Sequence, residues 1–263
     1  HLTPFLRCRA LEFQSTLHHL QGHLVSAETY GIQALSLARK LDRPSYLAKL
    51  LQKQHVTLVA LDRTPEAEAP LREALELYRK HGPPLELAHT GSSLGKHLGN
   101  LGLFEEAETL LLESLNTLEK LDHAVLRCDA AIGLAALYLV WQPPYAGPLT
   151  LKYARLAHTL AEKSANQQML HVSLIYLAHG EALHGDPKAA LAYAQESALE
   201  RNTGPSESRV ARSQFVTGLA LEASGQFEQA RQTMQAALLE YERLGDAYYG
   251  NVYGLELDRL NAD

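Results

Sequence analysis

The sequence predicts an all-α chain of stacked helix pairs, and three observations carry that prediction. Of its 263 residues 46% are apolar but only 7% aromatic, so the core must rest on Leu and Ala. A motif headed by Ala returns about every 40 residues, with Gly or Asp turns at a fixed distance before it. No stretch alternates apolar and polar residues as a half-buried strand would.

The motif places an apolar or small residue four positions after the anchor, Ala or Ser at seven and usually Leu at eight. It occurs at Ala27, Gly31, Ala34, Leu35; at Ala67, Leu71, Ala74, Leu75; and at Ala107, Leu111, Ser114, Leu115. It returns at Ala190, Ala194, Ser197, Ala198 and at Ala230, Met234, Ala237, Leu238, with a weaker copy at Thr150, Ala154, Ala157. Successive anchors lie 40, 40, 43, 40 and 40 residues apart, the three extra residues falling in the Pro-rich loop 141–148. This spacing predicts one repeat domain over 1–263, with six helix-turn-helix repeats at approximately 3–42, 43–82, 83–122, 123–165, 166–205 and 206–245. A terminal helix follows at 246–260, either a cap or the first half of a seventh repeat.

Turn chemistry supports each element. Gly22, Gly102, Gly185 and Gly225 stand five residues before their anchors, with Asp62 in the second copy, where a helix can end in a left-handed residue. Thr64-Pro65 and Asp186-Pro187 put a capping side chain before a proline at the first helical position. Asp42-Arg43-Pro44, Gly82-Pro83-Pro84, Gly204-Pro205 and Gly245-Asp246 mark the turns between repeats.

A small residue twelve positions before the anchor, as at Ser15, Gly95, Ala178 and Gly218, followed by the turn, resembles the tetratricopeptide repeat (TPR) over essentially the whole chain. The period of 40 exceeds the usual 34, and the early Trp of that repeat is absent. Longer repeats joined by Leu-Asp or Leu-Gly-Asp, as at 41–42, 121–122 and 244–246, are similar to the TPR-like regions of large bacterial transcriptional regulators, the MalT-type LuxR-family and antibiotic-regulatory activators. The resemblance implies a right-handed α-α superhelix, a TPR-like solenoid, that binds a protein or peptide segment or a small inducer in its concave face. The other reading is a stand-alone cytosolic adaptor.

Composition narrows the function. Lys plus Arg number 24 against 30 Asp plus Glu, a net charge of −6 that argues against general binding of nucleic acid or anionic membranes. Residues 1–60 nevertheless hold seven Lys or Arg against three Asp or Glu. No uninterrupted apolar run reaches the roughly 18 to 20 residues of a membrane span. Cys8 and Cys128 are too isolated for a disulfide framework or zinc knuckle, which predicts buried, inert thiols in a cytoplasmic protein. The chain begins His1-Leu2-Thr3 and has no Met before Met169, which predicts a piece of a longer protein.

Catalytic and metal signatures fail in turn. His19 and His23 are four apart, but Gly22 ends the helix between them, so no metal site is expected. His89–Lys96 lacks the Gly-Lys-Ser/Thr ending of a phosphate loop, and no nucleophile elbow occurs. The expectation is a non-enzymatic binding scaffold without cofactor.

By the TPR resemblance, groove-facing residues lie 18, 15, 11, 8 and 7 positions before the anchor, counted in the fourth repeat without its three extra residues. These are Arg9, Glu12, Thr16 and His19; Lys49 and Gln52; His89, Ser92, Lys96 and Asn100; Asp129, Ile132 and Ala136; Val172, Ile175 and His179; and Arg212 and Phe215. The groove so drawn is cationic and polar at its N-terminal end and apolar at its C-terminal end. Trp141 and Tyr145 either contact a partner or tuck over the core. Tyr248, Tyr249 and Tyr253 of the terminal helix either form an oligomer contact or pack on a following repeat.

Overall fold

The computed structural model describes residues 3–141, 146–199 and 207–245, with positions 254, 257 and 258. Among them it places twelve α-helices and no strand. These are α1 (Pro4–Leu20), α2 (Leu24–Ala38), α3 (Pro44–Ala60), α4 (Glu68–His81), α5 (Pro84–Asn100), α6 (Phe104–Lys120), α7 (Ala124–Trp141), α8 (Ala146–Lys163), α9 (Gln167–His184), α10 (Pro187–Leu199), α11 (Glu207–Ala223) and α12 (Phe227–Leu244). They form two compact units, His1–Asp122 with α1–α6 and His123–Asp263 with α7–α12. Within each unit consecutive helices pack on one another, the arrangement expected when one amphipathic pair cannot bury its apolar face alone.

The anchors explain the repeat. Ala27, Ala67, Ala107, Ala190 and Ala230 are all 0% exposed. Each of four anchors meets the residue twelve positions before it. Ser15 Oγ donates to the Ala27 carbonyl at 2.7 Å, and His55 Nδ1 lies 3.0 Å from the Ala67 carbonyl. A Cβ on Gly95 or Gly218 would stand 3.0 or 3.2 Å from the carbonyls of Ala107 and Ala230. The two helices of a repeat approach closest here, so the position takes a small residue or a side chain that can hydrogen-bond the carbonyl.

Seven residues after the anchor, Ala34, Ala74, Ser114, Ala157, Ser197 and Ala237 are buried as well. Cys8 Sγ and Cys128 Sγ lie 3.1 and 3.2 Å from the carbonyls of Ala34 and Ala157. Burial pushes both thiols up, Cys128 to about 12, with nearby Glu12 and Asp129 acting in the same direction.

The turns follow the sequence with two corrections. Gly22, Gly102, Gly225 and the substituting Asp62 are left-handed, at φ 76°, 79°, 77° and 59°. Gly185 is not: it closes α9 at φ −134° and ψ −133°, outside the left-handed region. Asp186 Oδ1 accepts from Lys188 N at 2.9 Å, as a capping residue before Pro187 should. Thr64-Pro65 instead opens a short 3-10 turn, Thr64–Ala67, and α4 starts only at Glu68.

Helix α7 departs from the expectation of no membrane-length segment. Its 18 residues, mean hydropathy 1.6, are by length and composition alone apolar enough to span a bilayer, and half of them are buried in the fold. Trp141 at its end is half-buried and stacks on Tyr138, ring centroids 6.4 Å apart. Tyr145, the Gly204-Pro205 turn and Tyr248, Tyr249 and Tyr253 of the predicted terminal helix lie outside the described residues.

Candidate functional site

In unit 1 the helices that open each repeat, α1, α3 and α5, line an open cavity of about 300 Å³ together with Leu71 of α4. Leu20 of α1, Val56 of α3 and Leu71 of α4 give it apolar walls, and Leu20 and Val56 remain 78% and 52% exposed. Thr16, His19, Lys53, His55 and His89 bring polar groups to its lining. His19 Nδ1 is buried without a hydrogen-bond partner.

One edge is held by a charge cluster. Glu12 is only 8% exposed, and its carboxylate accepts from Lys53 Nζ at 2.7 Å and from Tyr46 Oη at 2.7 Å, with Lys49 Nζ at 3.0 Å. Burial alone would raise this carboxyl. The bonds from Lys53, Tyr46 and Lys49 together outweigh it and hold the group at about 2. Burial raises the Tyr46 phenol, and the neighbouring Glu12 carboxylate raises it further.

His55, which lines the cavity, meets His97 edge to face at 5.0 Å. Burial holds both below the ordinary histidine value, with Lys96 lowering His55 further and His55 lowering His97. Both rings are therefore neutral at pH 7, and His97 Nε2 is buried without a hydrogen-bond partner.

The sequence-predicted residues divide by register. Eighteen positions before the anchor, Arg9, Lys49 and His89 are exposed, and Asp129, Val172 and Arg212 are half-buried. Eleven before, Thr16, Lys96, Ala136 and His179 are half-buried. His19 is half-buried and Asn100 exposed. Fifteen before, the expectation of a groove position is corrected at Glu12, Ser92, Ile175 and Phe215, which are buried, while Gln52 is half-buried and lines the cavity and Ile132 is half-buried.

In unit 1 that position faces the next repeat rather than solvent. Glu12 reaches Tyr46 and Lys53 of α3, and Gln52 Nε2 donates to Thr90 Oγ1 of α5 at 2.8 Å. Ile175 and Phe215 pack in the unit 2 core, the first with Ala178, Ala190 and Val216, the second with Leu219 and Met234. They therefore supply no apolar end to a groove. The apolar surface beside the polar residues is instead Leu20, seven positions before Ala27, and Val56, eleven before Ala67, two register positions not among the named candidates.

In unit 2 Arg212 lies against Tyr176, its Nη1 3.3 Å from the phenol oxygen. Loss of water around His179, with Arg212 and His184 nearby, pulls that imidazole down to about 4. A second cavity, of about 750 Å³, is lined by Gly147, Leu151 and Lys152 of α8 and by His184. Arg155 beside it is already paired with the buried Glu181 at 2.7 Å.

No family model matches the chain, and no curated protein matches it. Solved structures similar to it include a Rap protein complexed with competence and sporulation factor, 15% identical with TM-score 0.68, covering 100% of this chain and 77% of that one. A Rap conjugation gene regulator of plasmid pLS20 in complex with the Phr* peptide is 14% identical with TM-score 0.62, over 96% and 73%. A STAND protein with a tetratricopeptide repeat sensor from Pyrococcus horikoshii is 15% identical with TM-score 0.74, over 97% of this chain but 39% of its own length. At these identities the likeness is one of fold, and it makes this chain an all-α, TPR-like helical-repeat protein.

Proposed function

We propose that the chain is a non-enzymatic peptide-binding scaffold and that unit 1 seats its ligand across α1, α3 and α5. The observation that carries this reading is the cavity of about 300 Å³, with Leu20 and Val56 exposed on its rim beside the cations of the Glu12 cluster. Exposed apolar side chains next to placed polar groups are the composition of a recognition site rather than of an ordinary solvated face. The Rap structures with competence and sporulation factor and with the Phr* peptide support it by analogy of fold.

The biological context we propose is the sensor or interaction region of a larger cytoplasmic bacterial regulator of transcription. The similar STAND protein carries a tetratricopeptide repeat sensor. A parent gene product without a DNA-binding or nucleotide-binding segment on either side removes this context and leaves an adaptor.

Panning a random dodecapeptide phage library on the immobilised protein tests the binding reading. A common motif enriched on the wild type and lost on Val56→Asp is expected. Equal enrichment on both proteins overturns the proposed site.

A further inference from the structure

Resting on the peptide-binding reading, we propose that the ligand presents an acidic residue and a large apolar residue three positions apart in a polyproline II-like segment, the first at Lys49 and the second in the cavity beside Val56.

The acidic half follows from charge. Glu12 offers one carboxylate to two lysines, so the trio carries one surplus positive charge. Lys53 is the better held, by Glu12 at 2.7 Å and Thr16 at 2.9 Å, with 38% of its side chain exposed. Lys49 is 53% exposed and is the cation that can turn to an incoming carboxylate without undoing the cluster.

The apolar half follows from size and polarity. A volume of about 300 Å³ lies at the small end of ligand sites, enough for one side chain rather than a cofactor. Leu20, Val56 and Leu71 offer it apolar surface, and His55 behind them is held neutral at pH 7. Lys53 on the cavity lining is already held by Glu12 and Thr16, so a second carboxylate there would give up its water for incomplete compensation.

The spacing follows from helix geometry. Lys49 and Val56 are seven residues apart on the continuous helix α3, about 10.5 Å at 1.5 Å per residue. A polyproline II segment returns to the same face every third residue, after about 9.3 Å. A β-strand returns every second residue, after about 6.6 or 13 Å, and misses by roughly 3 to 4 Å in either case. Among extended segments, the match selects the three-residue interval.

The test uses fluorescein-labelled peptides with Asp and Phe separated by one, two or three prolines, and Asn-for-Asp counterparts, titrated by fluorescence anisotropy. The two-proline peptide is expected to bind at least about tenfold more tightly than the other two. Lys49→Ala should abolish the preference for Asp over Asn while keeping the need for Phe, with an unchanged helical circular dichroism signal. Equal affinity at all three spacings, or Asn as good as Asp on the wild type, overturns the proposal. If these peptides fail while panned sequences bind in a Val56-dependent way, this motif falls alone. If no peptide of either kind binds, the peptide-binding reading falls with it.

Discussion

Lys53 Nζ donates a 2.7 Å hydrogen bond to Oε1 of Glu12, which stands 41 residues earlier on the first helix of the preceding repeat. With Tyr46 and Lys49 on the same carboxylate, Glu12 ties α1 to α3 as well as shaping the cavity edge. Glu12→Ala should destabilise unit 1 by about 1–3 kcal/mol, since charged hydrogen bonds are lost but both lysines can rehydrate. Glu12→Gln keeps acceptors for Tyr46 and should cost less. Urea unfolding of the two variants checks the order, and a Glu12→Ala loss below about 0.5 kcal/mol contradicts it.

Acid should weaken the fold in two steps. His179, held at about 4 against an ordinary 6.5, stabilises the folded state while neutral. That contribution is present above about pH 6.5 and is lost as pH falls towards 4. His55 and His97, also lowered, act with the same sign. Glu12, at about 2 against 4.5, stabilises while ionised, and that part is lost between about pH 4.5 and 2. Calorimetry should show the melting temperature dropping from pH 7 to 5, less steeply in His179→Gln. A flat profile over that range contradicts the first step.

At Gly95 two effects oppose each other. Alanine would gain about 1 kcal/mol in helix propensity. Its Cβ, however, would meet Leu111 Cγ at 2.8 Å and the Ala107 carbonyl at 3.0 Å, and the backbone oxygen cannot give way cheaply. Overpacking of this kind costs roughly 1–3 kcal/mol, so Gly95→Ala should be net destabilising. A melting temperature at or above the wild type shows that the helices of that repeat do not approach so closely.

The repeat was legible because its anchor is a steric requirement: Ala27, Ala67, Ala107, Ala190 and Ala230 sit where two helices approach closest, and few residues besides Ala fit. The site was legible only where register and exposure coincide, as at Lys49 and His89. Fifteen positions before the anchor they part. There Glu12 looks like a groove residue by type, yet is buried against the next repeat, and Ile175 and Phe215 complete a core. Leu20 and Val56 stand in register, seven before Ala27 and eleven before Ala67, but a lone Leu or Val there reads like any other until neighbouring helices bring them to one cavity.

Cys8 and Cys128 should resist thiol reagents while the chain is folded. Both are 0% exposed and aimed at backbone carbonyls, and burial raises both thiols, Cys128 to about 12. Ellman's reagent should register neither thiol in buffer and both in denaturant. Rapid reaction of either in the native protein contradicts the packing described for α1 or α7.

The central claim, that unit 1 binds an extended segment across α1, α3 and α5, is tested most directly with the strongest peptide recovered by panning. Its affinity should be measured for the wild type, for Val56→Asp on the cavity rim, and for Leu239→Asp, an equally exposed apolar position on α12. The account predicts at least a tenfold loss for Val56→Asp and a change within about twofold for Leu239→Asp, since one lost anchor contact of about 1.4 kcal/mol is tenfold in affinity. Equal affinity for wild type and Val56→Asp, or a loss confined to Leu239→Asp, contradicts it.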